Sequence, residues 1–337
     1  MITLQDIADE AGVSKMTVSN VINGNTNKCS RTKAKHINAI IEKHGYVPNS
    51  SARTLSAKSS RIITGIFAES ADKNVLTDEY LARFFGEVSI HVQQRGYYFM
   101  LRRVGDYREV TASLRSWNVD GAVFVGMSNE DIKKSITDNS IPLIFTDSYT
   151  DIRNISNIGV DDYKGGGLAA ECFIRNGHRN VGFVTYSIDF SDLLQRRLKG
   201  YRDFLGKNGL SLKNENIHEI WNTYTMDDLV NRHRKAGSKA PSAYFVTADK
   251  LAVALIRRFY DNDIHVPKDV SVIGFDNLAI SSLYIPGIST IAQDIDQKAK
   301  IAADMLFNRI ENPASPGENI VMDVSLVERE SVRKIQG

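Results

Sequence analysis

Cysteine is almost missing: Cys29 and Cys172 are the only two in 337 residues. They lie far apart and fit no metal-ligand spacing, so a reduced compartment is expected. No stretch approaches the roughly 18 uninterrupted apolar residues that a membrane helix needs. The opening "MITLQDIADE" is acidic where a secretion signal would be basic and then greasy. These absences describe a soluble cytoplasmic protein. Catalytic signatures are missing too. The seven histidines form no H-x-x-x-H pair, no G-x-S-x-G occurs, and His178 in "NGHRN" reads as a loop residue ahead of a strand. "KGGGLAA" (164–170) has neither glycine spacing of a phosphate cradle. Asp161 and Asp162 could hold a metal, but adjacent acids at a domain crossing are usually just solvated. No enzymatic activity, cofactor or metal is expected.

What is present is unevenly spread. Residues 1–61 hold nine Lys/Arg against four Asp/Glu, so this leading segment is strongly positive although the whole chain carries only +2. Such asymmetry points to a nucleic-acid-facing end. Three short helices fit the first 45 residues. Thr3 and Asp6 make a capping signal ahead of Leu4, Ile7, Ala8 and Ala11 at helical spacing. Gly12 supplies a turn, Ser14 a second N-cap, and Asn23-Gly24-Asn25 a stop. Ser30 caps a third helix with Ala34, Ile37 and Ile41 on its apolar side and Gly45 at its end. Two helices joined by a short Gly-containing turn form the helix-turn-helix pattern. In the second, Val18, Val21 and Ile22 share one face; Met16, Ser19, Asn20 and Asn23 share the other, with no acid among them.

"VPNSSARTLSAKSSR" (47–61) reads as a linker. Ser50 to Ala57 allows two helical turns, too short to be stable alone. From Ile62 the texture changes to apolar strands alternating with amphipathic helices: "IITGIFA", "YYFMLR", "GAVFVG", "PLIFTD", "NVGFVTY", "AYFVTAD" and "SVIGFD". Between them lie runs such as Tyr80–Gln94, with Leu81, Phe84, Phe85, Val88 and Val92 on one stripe. This alternation implies parallel, doubly wound α/β sheets. The length suits two similar lobes dividing near "VDDYK" (160–164), with the final segment crossing back.

Ligands of such sheets bind beyond the carboxyl ends of the strands. Asp147, Asp249 and Asp276 end strands there, and Arg197 opens a helix after "VGFVTYS". Carboxylates, one guanidinium fork and the rings of Tyr80, Trp221 and Tyr224 suit a sugar or similar polyol. Each also has a plainer reading: a strand-end Asp as a helix N-cap, Arg197 as a solvated helix residue, the rings as core or rim.

At this point the chain resembles the lactose-repressor/galactose-repressor family over essentially its whole length. The N-terminal match is "TLQDIADEAGVSKMTVSNVING" followed by "HGYVPNSSARTL". Further matches are "VDGAVFV", "IPLIFTD", "IGVDDYKGGGLAA", "NGHRNVGFV", "RRLKGY", "VPKDVSVIGFDN" and "LVERESVR". Members are dimeric transcription regulators with an all-α helix-turn-helix domain, a hinge helix and a two-lobed α/β core like periplasmic sugar-binding proteins. The resemblance implies a helix-turn-helix domain over 1–47, a hinge helix and linker over 48–61, and an effector-binding and dimerisation core over 62–337. The N-lobe would comprise about 62–160 plus 291–322, and the C-lobe about 161–290 plus 323–337.

It further implies that "SKMTVSN" starts the recognition helix, with Lys15, Met16 and Asn20 reading bases and Thr17 and Ser19 meeting phosphate or nearby base edges. Thr3, Ser14, Asn23, Ser30 and Thr32 complete the expected DNA-facing set. Asn20 can bond adenine bidentately, Met16 can cover a thymine methyl, and Lys15 can reach guanine or a phosphate. Most members carry Arg where this chain has Asn20, so a shift from guanine toward adenine is expected. Leu55 stands where the family's hinge leucine wedges into the minor groove; Ala52 lets two hinge helices approach, and Asn49 and Arg53 meet backbone or groove edges. A near-palindromic operator read by a homodimer follows. The chain's last residues, "VRKIQG", show no leucine heptad, which favours a dimer over a coiled-coil tetramer.

For the effector pocket, Asp147, Arg197 and Asp276 fall on ligand-contacting positions. Asp78 and Tyr80 lie where many members read "NPFF" and this chain "TDEY". Tyr224 or Trp221 would underlie the sugar. The usual Asn before Asp249 is Ala248. The expected function is a repressor of carbohydrate-utilisation genes, induced by a sugar-like effector bound between the lobes. The alternative is a sugar sensor or binding protein without specific operator recognition.

Overall fold

Thr3 starts the first helix. Its hydroxyl accepts from the Asp6 backbone N–H while the Asp6 carboxylate accepts from the Thr3 N–H at 2.7 Å, a reciprocal cap for α1 (Leu4–Glu10). The computed structural model describes residues 2–22, 24, 29–46, 59–68, 75–105, 110–127, 132, 141–148, 155–188 and 191–335. Two compact units emerge, Met1–Arg61 and Ile62–Gly337. In the first, α2 (Lys15–Ile22) and α3 (Arg31–His44) follow α1. Ile7, Ala8, Val18, Val21, Ala34, Ile37 and Ile40 close a small core. The expected stripe on α3 is rotated slightly: Ile40 is buried, and Ile41 only packs against the edge. Gly45 ends α3 at φ 58°, a left-handed turn that glycine adopts without a Cβ penalty.

The second unit holds two six-stranded sheets. The first runs in spatial order β11-β5-β4-β3-β1-β2: β1 (Ile62–Ala68), β2 (Tyr98–Val104), β3 (Gly121–Val125), β4 (Leu143–Thr146), β5 (Ser156–Val160) and β11 (Asn319–Met322), all parallel. The second runs β12-β10-β9-β8-β6-β7: β6 (Val181–Thr185), β7 (Ile217–Glu219), β8 (Ala243–Val246), β9 (Ser271–Asp276), β10 (Ser289–Ala292) and β12 (Ser325–Val327), with β12 antiparallel to β10. The central strands β3, β5, β6, β8 and β9 are buried throughout. Helices on both faces make continuous apolar runs the stable pattern there.

Among the described residues, the α-helices of this unit are α4 (Glu79–Gln94), α5 (Val110–Ser116), α6 (Asp162–Arg175), α7 (Asp192–Lys207), α8 (Thr223–Ala236), α9 (Asp249–Tyr260), α10 (Ala279–Leu283) and α11 (Ile295–Glu311). The stripe foreseen on α4 is real: Phe84, Phe85, Val88 and Val92 are buried against Ile295, Ala299, Ala302 and Leu306 of α11. Thus α11, late in the chain, builds the core of the first sheet. The glycines of "KGGGLAA" serve helix packing. A Cβ on Gly166 would overlap the Arg197 carbonyl oxygen, and one on Gly200 would overlap that of Tyr163, so α6 and α7 meet backbone to backbone. His178 is a buried tie rather than a free loop residue; its ring nitrogens lie 2.8 Å from Ser242 Oγ and 3.1 Å from the Arg333 carbonyl oxygen. Among the described residues no helix is long and apolar enough to cross a membrane.

Candidate effector cleft and DNA-facing helix

The carboxyl ends of the strands bring a charged network together. Asp147 follows β4 and Asp276 ends β9; both take positive φ, 56° and 109°. A non-glycine residue held in that region is strained, and such strain concentrates at functional sites. The Asp147 carboxylate receives the Lys298 ammonium, 2.6 Å from each oxygen. Lys298 sits on α11, wholly buried, and also donates to Tyr80 Oη at 3.0 Å and Gln293 Oε1 at 3.2 Å. Tyr80 donates to Asp147 Oδ2 at 3.3 Å and stacks over Phe84. Burial and then the Asp147 charge raise the Tyr80 phenol well above its ordinary value, so it stays a neutral donor.

Gln293 carries the network to the other sheet. Its amide donates to Asp276 Oδ1 at 2.6 Å. Asp276 is 9% exposed, and burial pushes its carboxyl up to about 7 against the pull of Arg197. Arg197, buried on α7, donates through Nε to Asp162 at 2.6 Å and through Nη1 to the Thr247 carbonyl at 2.6 Å. Its guanidinium lies 3.3 Å from the centre of the Phe275 ring. Tyr186, one residue past β6, feels both Asp78 and Asp276, and burial first among these pushes its phenol to about 12. Two contacts join the lobes nearer the rim. Asp78 pairs with Lys250 at 3.5 Å, and the Glu79 carboxylate accepts from the Ala279 N–H at 2.8 Å.

Several expectations need correction. Asp249 does not face the cleft: it is fully buried, accepting from Thr290 Oγ1 at 2.6 Å and the Leu278 N–H at 2.8 Å, and burial with the Asp276 charge pushes it up to about 8. Arg197 lies in the second turn of its helix, not at the opening, and is no solvated residue. Asp78 is the N-cap of α4, accepting from the Leu81 N–H, which leaves Tyr80 as the member of "TDEY" inside the network. Trp221 and Tyr224 are 62% and 78% exposed around the start of α8. The paired acids are absorbed structurally: Asp161 caps α6 and Asp162 holds Arg197. Lys298, Gln293 and Tyr186 were not anticipated. A signal for Lys298 exists, since it falls on the stripe of Ile295, Ala299 and Ala302, where a cation has no reason to sit unless it is paired.

On the first unit, α2 presents the exposed Lys15 and Met16, the latter 72% exposed, with Thr17, Ser19 and Asn20 half-buried. Ser14 accepts from the Thr17 N–H at 3.2 Å and Ser30 from the Lys33 N–H at 3.4 Å, both as caps of exposed helix starts. Thr32 is exposed in the first turn of α3. Thr3 is a correction: its hydroxyl donates to Asp6 at 2.8 Å and accepts from the same residue, so it has no proton left for a phosphate. Asn23 and the hinge set Asn49, Ala52, Arg53 and Leu55 lie outside the described residues.

Residues 3–49 match the model of bacterial regulatory proteins of the lacI family, and residues 170–332 match the periplasmic-binding-protein-like domain. The transcriptional repressor PurR of Vibrio parahaemolyticus is 30% identical over 99% of this chain and 100% of its own length. The chain belongs to the lacI family. This lacI-family chain is a DNA-binding transcriptional regulator with a two-lobed α/β core. The probable repressor ExuR of Bacillus subtilis is 29% identical over 99% of both chains, and the ribose operon repressor of Haemophilus influenzae 27% over 100% of both. Among solved structures, the lac repressor dimer bound to operator and an anti-inducer aligns with a TM-score of 0.83 at 23% identity, covering 98% of this chain and 99% of that one. The CelR–cellobiose complex aligns at 0.71 and 23%, covering 98% and 100%. At those identities the two structures support the lacI-family fold and no more.

Proposed function

We propose that this regulator is a cytoplasmic repressor of carbohydrate-utilisation genes, acting as a homodimer on a near-palindromic operator and released by a sugar-like effector. The carrying observation is the polar array at the strand ends, in which Asp276, Arg197, Gln293, Lys298 and Asp147 form one chain of hydrogen bonds and close charges linking both sheets. Hydroxyl groups between the lobes would donate charge-assisted hydrogen bonds to Asp276, beside the Arg197 whose charge acts on it. The relative named for ribose and the cellobiose-bound structure support a sugar. That the relatives named above are regulators supports control of transcription over turnover.

On DNA, α2 would lie in the major groove, with Lys15, Met16 and Asn20 on base edges and Thr17 and Ser19 near phosphates; Ser14, Asn23, Ser30 and Thr32 would add backbone contacts. Asn49, Ala52, Arg53 and Leu55 would form the minor-groove hinge over 48–61, between a DNA-binding domain at 1–47 and a core at 62–337. A ligand moves such a two-state equilibrium only through its differential affinity for the two states. Selection of duplexes from a random pool by the full chain, followed by release with a panel of sugars, tests the reading. Recovery of a palindrome that no sugar releases would refute induction; recovery of no preferred duplex would refute the regulator.

A further inference from the structure

Among the described residues at the strand ends, Arg197 and Lys298 stand with Asp147, Asp162 and Asp276, and their pairing is unequal. Arg197 is neutralised by Asp162 at 2.6 Å and occupied by the Thr247 carbonyl and the Phe275 ring. Lys298 is neutralised by both oxygens of Asp147, and its remaining reach is taken by Tyr80 and Gln293. An ammonium has three protons, and four oxygens already surround this one. Among the described residues, Asp276 keeps a neutral amide as its hydrogen-bond partner, and the Arg197 and Lys298 charges act on it without a hydrogen bond. The paired charges cancel, so neither of these two cations is left over for an anionic ligand.

We infer that Lys298, locked onto Asp147, makes the cleft select a hydroxylated ligand without negative charge, a neutral polyol or an amino sugar, and reject sugar acids and sugar phosphates. The inference rests on the cleft being the effector site. A carboxylate or phosphate entering it finds both of these cations engaged. Displacing Asp147 from Lys298 would leave a buried carboxylate uncompensated, a cost an anionic ligand has to overcome before gaining anything. A neutral diol meets no such cost, because Asp276 accepts its hydroxyl protons directly. Lys298 is thus a specificity residue acting through the partner it occupies.

Thermal unfolding of the full chain tests this with matched sets: an aldose, its 2-amino sugar, its uronate and its 6-phosphate, with inorganic phosphate as a bare anion. A native-state ligand raises the melting temperature. Within any set that binds, the neutral or amino member should bind at least about tenfold tighter than the anionic members. Tighter binding by the uronate or phosphate of that set overturns the proposal. A second arm needs no sugar. Asp147→Asn frees Lys298, so inorganic phosphate should stabilise that variant, but neither the wild type nor Asp147→Asn/Lys298→Met. Equal stabilisation of the wild type, or none of the single variant, also overturns the proposal. If the single variant does not fold, rescue of folding by the added Lys298→Met supports the pairing, and failure of rescue counts against it. Silence from every sugar with the phosphate arm as expected supports the charge rule and refutes the sugar reading of the cleft.

Discussion

Lys298 Nζ and the Asp147 carboxylate lie 2.6 Å apart, the lysine wholly buried and the aspartate 11% exposed at its side chain. Removing one partner of such a pair leaves the other uncompensated and typically costs about 3–5 kcal/mol, whereas replacing both with apolar groups is close to neutral. Lys298→Met alone should therefore lower unfolding stability by about that much in urea titrations. The double replacement Asp147→Leu/Lys298→Met should recover most of the loss; additive losses would contradict the pairing.

Arg197 carries a related prediction. The residue holds Asp162, which is fully buried at its side chain, as well as facing Asp276. Arg197→Ala should abolish the effector response and also destabilise the second unit by about 3–5 kcal/mol. Lysine keeps the charge but loses the planar fork, so Arg197→Lys should keep stability better than response. Parallel melting and ligand-release assays separate the two effects.

Stability should depend on pH with a definite sign. Burial raises Asp276 from 3.8 to about 7 and Asp249 from 3.8 to about 8. The folded chain then keeps protons that the unfolded chain has released, so stability falls as pH rises from about 4 to about 8. Burial lowers His178 and His218 from 6.5 to about 4, which costs stability as pH falls through that window. The two effects oppose one another below 6.5. Between 6.5 and 8 the carboxylates dominate this set, and denaturant titrations should show declining stability. Asp276→Asn, which keeps an acceptor for Gln293, should make that decline shallower.

Asn20 carries the DNA prediction. A bidentate amide contact discriminates by about 1–3 kcal/mol per base pair. Base-by-base selection should return adenine opposite Asn20, and Asn20→Arg should shift the preference to guanine. Guanine selected by the wild type would refute the assignment.

Much of this was legible. β1 and β9 coincide with the short, largely apolar runs "IITGIFA" and "SVIGFD", and α4 with a stripe at helical spacing. The strands that escaped notice are β5 with its Asn and Gly, and the short β7, β10, β11 and β12. Strands of three or four residues offer too few alternations for a period to show. Of the cleft, Asp147 and Asp276 could be named because strand ends are visible as patterns, Arg197 because it follows one, and Tyr80 from its ring and the family resemblance. Whether an aspartate there points into the cleft or back into the core depends on neighbours far away in the chain: Thr290 turns Asp249 inward, and Lys298 reaches Asp147 across 151 positions. No local window contains that information.

β11 and β12 shape how the molecule comes into being. Asn319–Met322 completes the sheet begun at Ile62, and only two residues later Ser325–Val327 completes the other. A chain emerging from the ribosome therefore has both lobes unfinished until its final segment is free, and α11, which fills the first lobe's core, arrives almost as late. The three helices of the first unit have their core within residues 2–46, so it can close before the rest of the chain is made. A nascent chain thus acquires its DNA-reading head well before the body that is to govern it.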